Sequence, residues 1–350
     1  MPTAIDYRPL LYPPDPIAVA AFRAAHRADP RYLGSSIGAI FGAAVIGLLA
    51  LFVFGIVVVP ILIGLGAGLG PGGLIPLIAV IGIPLIAAGL ITAVVLGGRR
   101  RWRRAYRLDS FAAANGLSYS PSSAEPDYPG SIFNLGDSRS SNDHLQRLVG
   151  RYLDYGNYSY VTGSGKNRTT HNWGFVAMRL DRALPHIVLD SKANNLLFGA
   201  SNFPASFAKD QMLSLEGDFD RYFTLYCPKE YERDALYVFT PALMAECIDE
   251  AAPFDLEIVD RWLFAYSAKP FEMDSPQVQQ RVWRIIDGVG ARTLDESDNY
   301  ADERAGGRAA FAANVVAPQG ARLRRRISVA TIVIFAIVAL AILLPQLISR

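Results

Sequence analysis

Scarcity comes first in this chain: 350 residues carry two cysteines, four histidines and five methionines. Cys227 and Cys247 have neither metal-ligand nor redox spacing, which excludes a zinc knuckle, a C-x-x-C centre and a disulfide framework. Cysteine–histidine catalysis would need one of them beside His144, His171 or His186, and no local motif supports that pairing. The G-x-S-x-G elbow and the H-E-x-x-H metal motif are both missing. No cofactor is expected. A basic leader followed by a short apolar run is also missing, so no cleavable signal peptide is expected.

The second absence is charge. Residues 32–98 contain no Asp, Glu, Lys, Arg or His, and the stretch ends in Arg99-Arg100-Arg101-Trp102-Arg103-Arg104. Long uncharged apolar runs closed by arginines predict membrane spans with a cytoplasmic stop. The expected spans are 37–63 and 74–96, joined by a glycine-rich loop at 64–73, with a third at 327–348. These runs hold no ionisable side chain of the kind carriers use to bind transported ions, so they predict anchors rather than a transport path.

The expected fold class is therefore membrane-anchored α+β. An N-terminal segment (1–35) precedes a transmembrane hairpin (36–98) and a basic stop (99–107). A cytoplasmic α+β domain with antiparallel sheet (108–320), a second basic stop (321–326) and one C-terminal transmembrane helix follow. The arginine clusters place the N-terminus and main domain inside a multi-pass cell-membrane protein, with the C-terminus outside.

The net charge of +2 conceals a division. The middle of the chain is acidic on balance, which disfavours nucleic acid as a partner. Arg99, Arg100, Arg101, Arg103, Arg104, Arg322, Arg324, Arg325 and Arg326 are the candidate contacts to anionic lipid headgroups. A short helix capped by Asp15, with Pro16 in its first turn and Arg23, His26 and Arg27 on one side, fits a basic helix lying on lipid or a plain surface helix.

Within 108–320 the strongest pattern is the alternation through Tyr158, Tyr160 and Thr162 and again through Trp173, Phe175 and Ala177. It predicts a β-hairpin with the polar tip Gly163-Ser164-Gly165-Lys166-Asn167-Arg168. That tip fails as a phosphate loop, because Tyr160 stands where the first glycine belongs and strand, not helix, follows. Glu216, Asp218 and Asp220 at spacing two are weak candidate metal ligands, with a turn as the plainer reading. Helices are expected over 141–149, 230–239, 241–251 and from Ser275-Pro276 onward, and a second hairpin over 256–266 turning at Asp260-Arg261.

The run from Glu216 to Tyr226, the segment Thr240-Pro241-Ala242-Leu243-Met244 and the end Lys269-Pro270-Phe271 resemble a family of uncharacterised bacterial integral membrane proteins. FAAANGLSY at 111–119, GNYSY at 156–160 and YADERA at 300–305 are similar to its actinobacterial members. The resemblance implies a fold and no activity. The function expected is a membrane-tethered binding or scaffold domain with a lipid bilayer and an unidentified protein as partners. The alternative is a membrane-associated enzyme, metal-dependent through Glu216, Asp218 and Asp220.

Overall fold

The computed structural model describes residues 4–33, 47, 55, 74–124, 126–195, 201–306 and 312–325. The chain divides into two compact units: Asp6–Asn115 with Ser120–Ser122, and Met1–Ile5, Gly116–Tyr119 and Ser123–Arg350. The first is helical and the second is built on a sheet.

In the helical unit, α1 (Arg8–Leu11), α2 (Pro16–His26) and α3 (Pro30–Leu33) accompany one long helix, α4 (Leu74–Ala114). The side chain of Asp15 accepts from the Ile17 amide at 3.0 Å, so α2 starts where its capping residue and Pro16 predict. Its buried Phe22 meets Tyr32, Trp102 and Tyr106 edge-on at 5.6–6.3 Å. Helix α4 ends at Ala114, followed by Gly116 at φ +66, the left-handed turn that glycine tolerates without a Cβ penalty.

This helix corrects the membrane expectation. The run 74–96 opens a 41-residue helix that carries the arginines 99–101, 103, 104 and 107 and buries Ala105, Leu108, Phe111 and Ala112. Among the described residues no helix is long and apolar enough to cross a membrane. The run 37–63, apart from residues 47 and 55, and the run 327–348 lie outside the described residues. The three-span architecture, the integral-membrane and transmembrane class, and the multi-pass cell-membrane localisation with its inside–outside topology are thereby overturned.

The sheet unit contains a seven-stranded antiparallel sheet: β1 (Ser118–Ala124), β2 (Asp137–Arg147), β3 (Leu153–Thr162), β4 (Thr169–Ser191), β5 (Met212–Leu213), β6 (Phe223–Tyr226) and β7 (Asp255–Ser267). Their order is β1-β2-β3-β4-β6-β5, with β7 also paired to β4. The predicted hairpin is there, with Tyr160 opposite His171 and Tyr155 opposite Val176. Its second strand runs on to Ser191.

Two local expectations fail. Residues 141–147 belong to strand β2 and not to a helix, because β3 offers them a full antiparallel partner. The hairpin expected at 256–266 is one strand, β7, which bends at Asp260 (φ 54) while pairing with β4 on both sides of the bend. Ile258 lies opposite Ile187 and Phe264 opposite Ala177. One face carries an aromatic core: Tyr128, Phe133, Tyr158, Phe175, Phe264 and Tyr266. Phe133 meets Tyr128, Tyr158 and Phe175 tilted or edge-on at about 5 Å, and Phe264 stacks on Tyr266 at 5.8 Å, adding to the area they bury.

Short helices complete the unit: α5 (Glu232–Val238), α6 (Pro241–Glu246), α7 (Pro276–Ile285), α8 (Ala291–Ser297) and α9 (Pro318–Ala321). The Thr240 and Ser275 side chains cap α6 and α7 by accepting from Leu243 and Val278 amides, as Thr-Pro and Ser-Pro starts predict.

Candidate functional site

A groove open to a ligand lies in the helical unit. Pro16, Val19, Ala20, Arg23 and Ala24 from α2, Arg27 at its C-terminal cap, and Arg99, Trp102 and Arg103 from α4 line this groove of about 560 Å³. Arg23 and Arg27 are four apart on one helix, and Arg99 and Arg103 are four apart on the other, so each pair occupies one helix face. The floor is apolar: Val19, Ala20, Ala24 and the ring of Trp102, which stacks on Tyr32 at 5.6 Å with an 8° interplanar angle. No acidic side chain lines it. Among the described residues no carboxylate pairs with any of the four arginines.

That geometry separates the arginines grouped by sequence. Arg99 and Arg103 face the groove. Arg101 donates to the Tyr32 carbonyl. In the sheet unit Arg322 makes two 2.9 Å bonds to Asp260, Arg324 pairs with Asp210, and Arg325 bridges to Phe207 through the backbone. These two pairings occupy the charges of Arg322 and Arg324 within the fold, which sequence alone left open. Arg100 is exposed, and Arg326 lies outside the described residues.

Glu216 and Asp218 are exposed. Asp218 makes no side-chain capping bond, whereas Asp220 accepts from the Ser214 hydroxyl and from the Leu215 amide at 3.2 Å. Asp220 thus ties its own loop. Among the described residues no group of three or more His, Cys, Asp or Glu side chains is arranged to hold a metal ion. The thiols are buried; burial, then nearby carboxylates, pushes Cys227 up to about 12, and burial raises Cys247 as well.

Sequence reading missed the ionic centre of the sheet unit. Glu257, 1% exposed on β7, accepts from the Ser131 amide and hydroxyl, from the Tyr266 hydroxyl (all at 2.7 Å) and from His186 Nε2 at 2.8 Å. His186 Nδ1 accepts from the Leu323 amide, so its proton sits on Nε2 and the ring is neutral. Burial alone would raise the Glu257 pKa. The donors, His186 foremost, outweigh burial and hold it below 4.5. No signal in the sequence joins residues 131, 186, 257 and 266, which meet only because β4 pairs with β7.

A second buried carboxylate has the opposite electrostatics. Asp255 accepts from the Ser191 amide at 2.9 Å through one oxygen, and the other has no partner among the described residues. Burial pushes its pKa up to about 7, and the neighbouring Asp190, itself raised by burial, adds to the shift.

No protein-family model and no curated protein matches the chain. A crystal structure of the mycobacterial trehalose monomycolate transport factor A, TtfA, aligns with 56% of this chain and 93% of that one. Sequence identity over the alignment is 12% and the TM-score is 0.35. These comparisons do not show a family for the chain.

Proposed function

We propose that the protein is a binding module whose helical unit takes an amphipathic anion: an acidic phosphate or carboxylate head joined to an aliphatic part. The observation that carries this reading is the pair of arginine rails over the apolar floor. Like charges four apart on a helix repel by about 0.2–0.5 kcal/mol per pair. An anion between the rails relieves both repulsions at once. Guanidinium groups hold phosphate or carboxylate oxygens through charge-assisted, often bidentate bonds, roughly twice as strong as neutral ones. Val19, Ala20, Ala24 and Trp102 offer nothing to the head and much to a hydrocarbon, whose burial contributes about 25 cal/mol per Å². This is the binding expectation from sequence without its membrane tether.

Calorimetric titration of the full chain tests it with monododecyl phosphate below its micelle concentration, inorganic phosphate and dodecyltrimethylammonium. The alkyl phosphate is expected to bind, inorganic phosphate at least tenfold more weakly, and the cationic amphiphile not at all. Replacing Arg23, Arg27, Arg99 and Arg103 by Ala together should abolish binding. Equal affinity for the cationic amphiphile, or unchanged affinity in the fourfold variant, refutes the proposal. Inorganic phosphate binding as tightly as the alkyl phosphate would reduce the site to a free-anion site.

A further inference from the structure

The edge of the sheet holds a second constellation, independent of the arginine groove. Ser123 on β1, His144 on β2 and Asp154 on β3 stand on three successive strands. Ser123 Oγ lies 2.9 Å from His144 Nε2, and His144 Nδ1 lies 2.8 Å from Asp154 Oδ1. The acid and the base are 1% and 2% exposed, while Ser123 is partly exposed on a strand at the border of the sheet.

The proton positions follow from the partners. Asp154 Oδ2 accepts from the Tyr128 hydroxyl at 2.7 Å and from Gln146 Nε2 at 3.1 Å. Burial pushes the Tyr128 pKa far up, so this phenol stays protonated and donates. Both of these bonds fall on Oδ2, and a carboxylate at Asp154 accepts at Oδ1 too, which makes His144 Nδ1 the donor to it. Nε2 is then the free acceptor, aimed at the Ser123 hydroxyl. That is the tautomer a base needs to take a proton from serine.

The backbone spends conformational freedom to achieve this. Pairing of β2 with β3 slips by one residue between Asn142 and Leu145, a bulge that places Asp143 at φ 46, unusual for a residue with a Cβ. The Tyr119 hydroxyl donates to Asp143 Oδ1 at 2.7 Å and pins the bulge. Opposite it sits Gly156, where a Cβ would come within 2.5 Å of His144 Cα. Bulges of this kind re-aim a side chain and are over-represented beside active sites.

We propose that Ser123 is an acyl-accepting nucleophile, His144 its general base and Asp154 the positioning residue, acting on activated carboxylic esters. Ser123 Oγ forms a bond to the acyl carbon as its proton passes to His144 Nε2. The ester C–O bond breaks, and the same proton leaves with the departing alcohol. Water then adds to the acyl-serine, gives one proton to Nε2 and releases the acid, and Nε2 returns the proton to Ser123 Oγ. The step needs no oxidant or metal.

The test is covalent labelling of the intact chain with a fluorophosphonate, read by peptide mass spectrometry. One adduct on Ser123 per folded molecule is expected, lost on heat denaturation and absent in Ser123→Ala. Asp154→Asn, which removes the acceptor that fixes the ring tautomer, should slow labelling at least 100-fold. The wild-type rate should rise with pH along one titration, in a setting where Asp154, Asp143, Tyr128 and Tyr152 are the ionisable groups about His144. The Asp154→Asn rate should lose that limb. Absence of an adduct on Ser123 in the folded wild type overturns the proposal, as does labelling by Asp154→Asn at the wild-type rate with the wild-type profile.

Discussion

Replacing Glu257 by Ala probes the buried carboxylate network of the sheet unit. The substitution removes the acceptor of the Ser131 amide and hydroxyl, Tyr266 hydroxyl and His186 Nε2, and all three donor residues are buried. Breaking a buried, hydrogen-bonded charge centre costs about 3–5 kcal/mol, because the orphaned donors keep their desolvation penalty. In a domain of this size about 4 kcal/mol lowers the melting temperature by roughly 8–16 °C. Tyr266→Phe deletes one donor to a charged acceptor and should cost about 1.5–3 kcal/mol. Urea denaturation of the full chain, followed by tyrosine and tryptophan fluorescence, gives both values. The pH dependence supplies a second signature. Glu257 has a folded pKa below 4.5, so as pH falls the unfolded chain takes up its proton first. Its stabilisation is complete above about 4.5 and is lost as pH drops through the lower folded value, a limb that Glu257→Gln should not show. If Glu257→Ala costs less than Tyr266→Phe, the carboxylate is not the centre of the network and the reasoning fails.

Asp255 should behave in the opposite sense. Its folded pKa of about 7 against 3.8 means that the folded state holds the proton longer, so a penalty builds as pH rises between those values. Asp255→Asn is expected to match the wild type near pH 4 and to exceed it by about 2–4 kcal/mol at pH 8; a gap that does not widen in urea titrations at the two pH values contradicts this. Gly156→Ala pushes a Cβ against the His144 backbone and should cost about 1–3 kcal/mol by overpacking while slowing fluorophosphonate labelling of Ser123. Unchanged stability and labelling would show that the bulge has room to spare. Neither Cys227 nor Cys247, both fully buried, should react with a thiol reagent in the native protein at neutral pH, and prompt reaction of either would place it at the surface.

What the sequence determined by itself was local. Asp15-Pro16, Thr240-Pro241 and Ser275-Pro276 start helices because a capping oxygen and a fixed φ act within one turn. Gly116 ends α4, and the alternation through Tyr158 and Trp173 produces the β3–β4 hairpin, for reasons equally short in range. Tertiary structure decided the rest. Residues 141–147 carry no clear period of their own and become strand because β3 supplies the partner. Asp260-Arg261 resembles a turn, yet β4 is long enough to hold both sides of it in one strand, β7. The helix that opens in the apolar run before Arg99 continues through the arginines, and tertiary packing buries its Leu108 and Phe111 within its own unit. The charged and nucleophilic groups were least legible of all. Ser123, His144 and Asp154 come from three strands, Ser131, His186, Glu257 and Tyr266 from distant segments, and the groove arginines from two helices far apart in the chain. Strand register, one bulge and one helix–helix contact set those distances, and none of the three is a property of any short stretch of sequence.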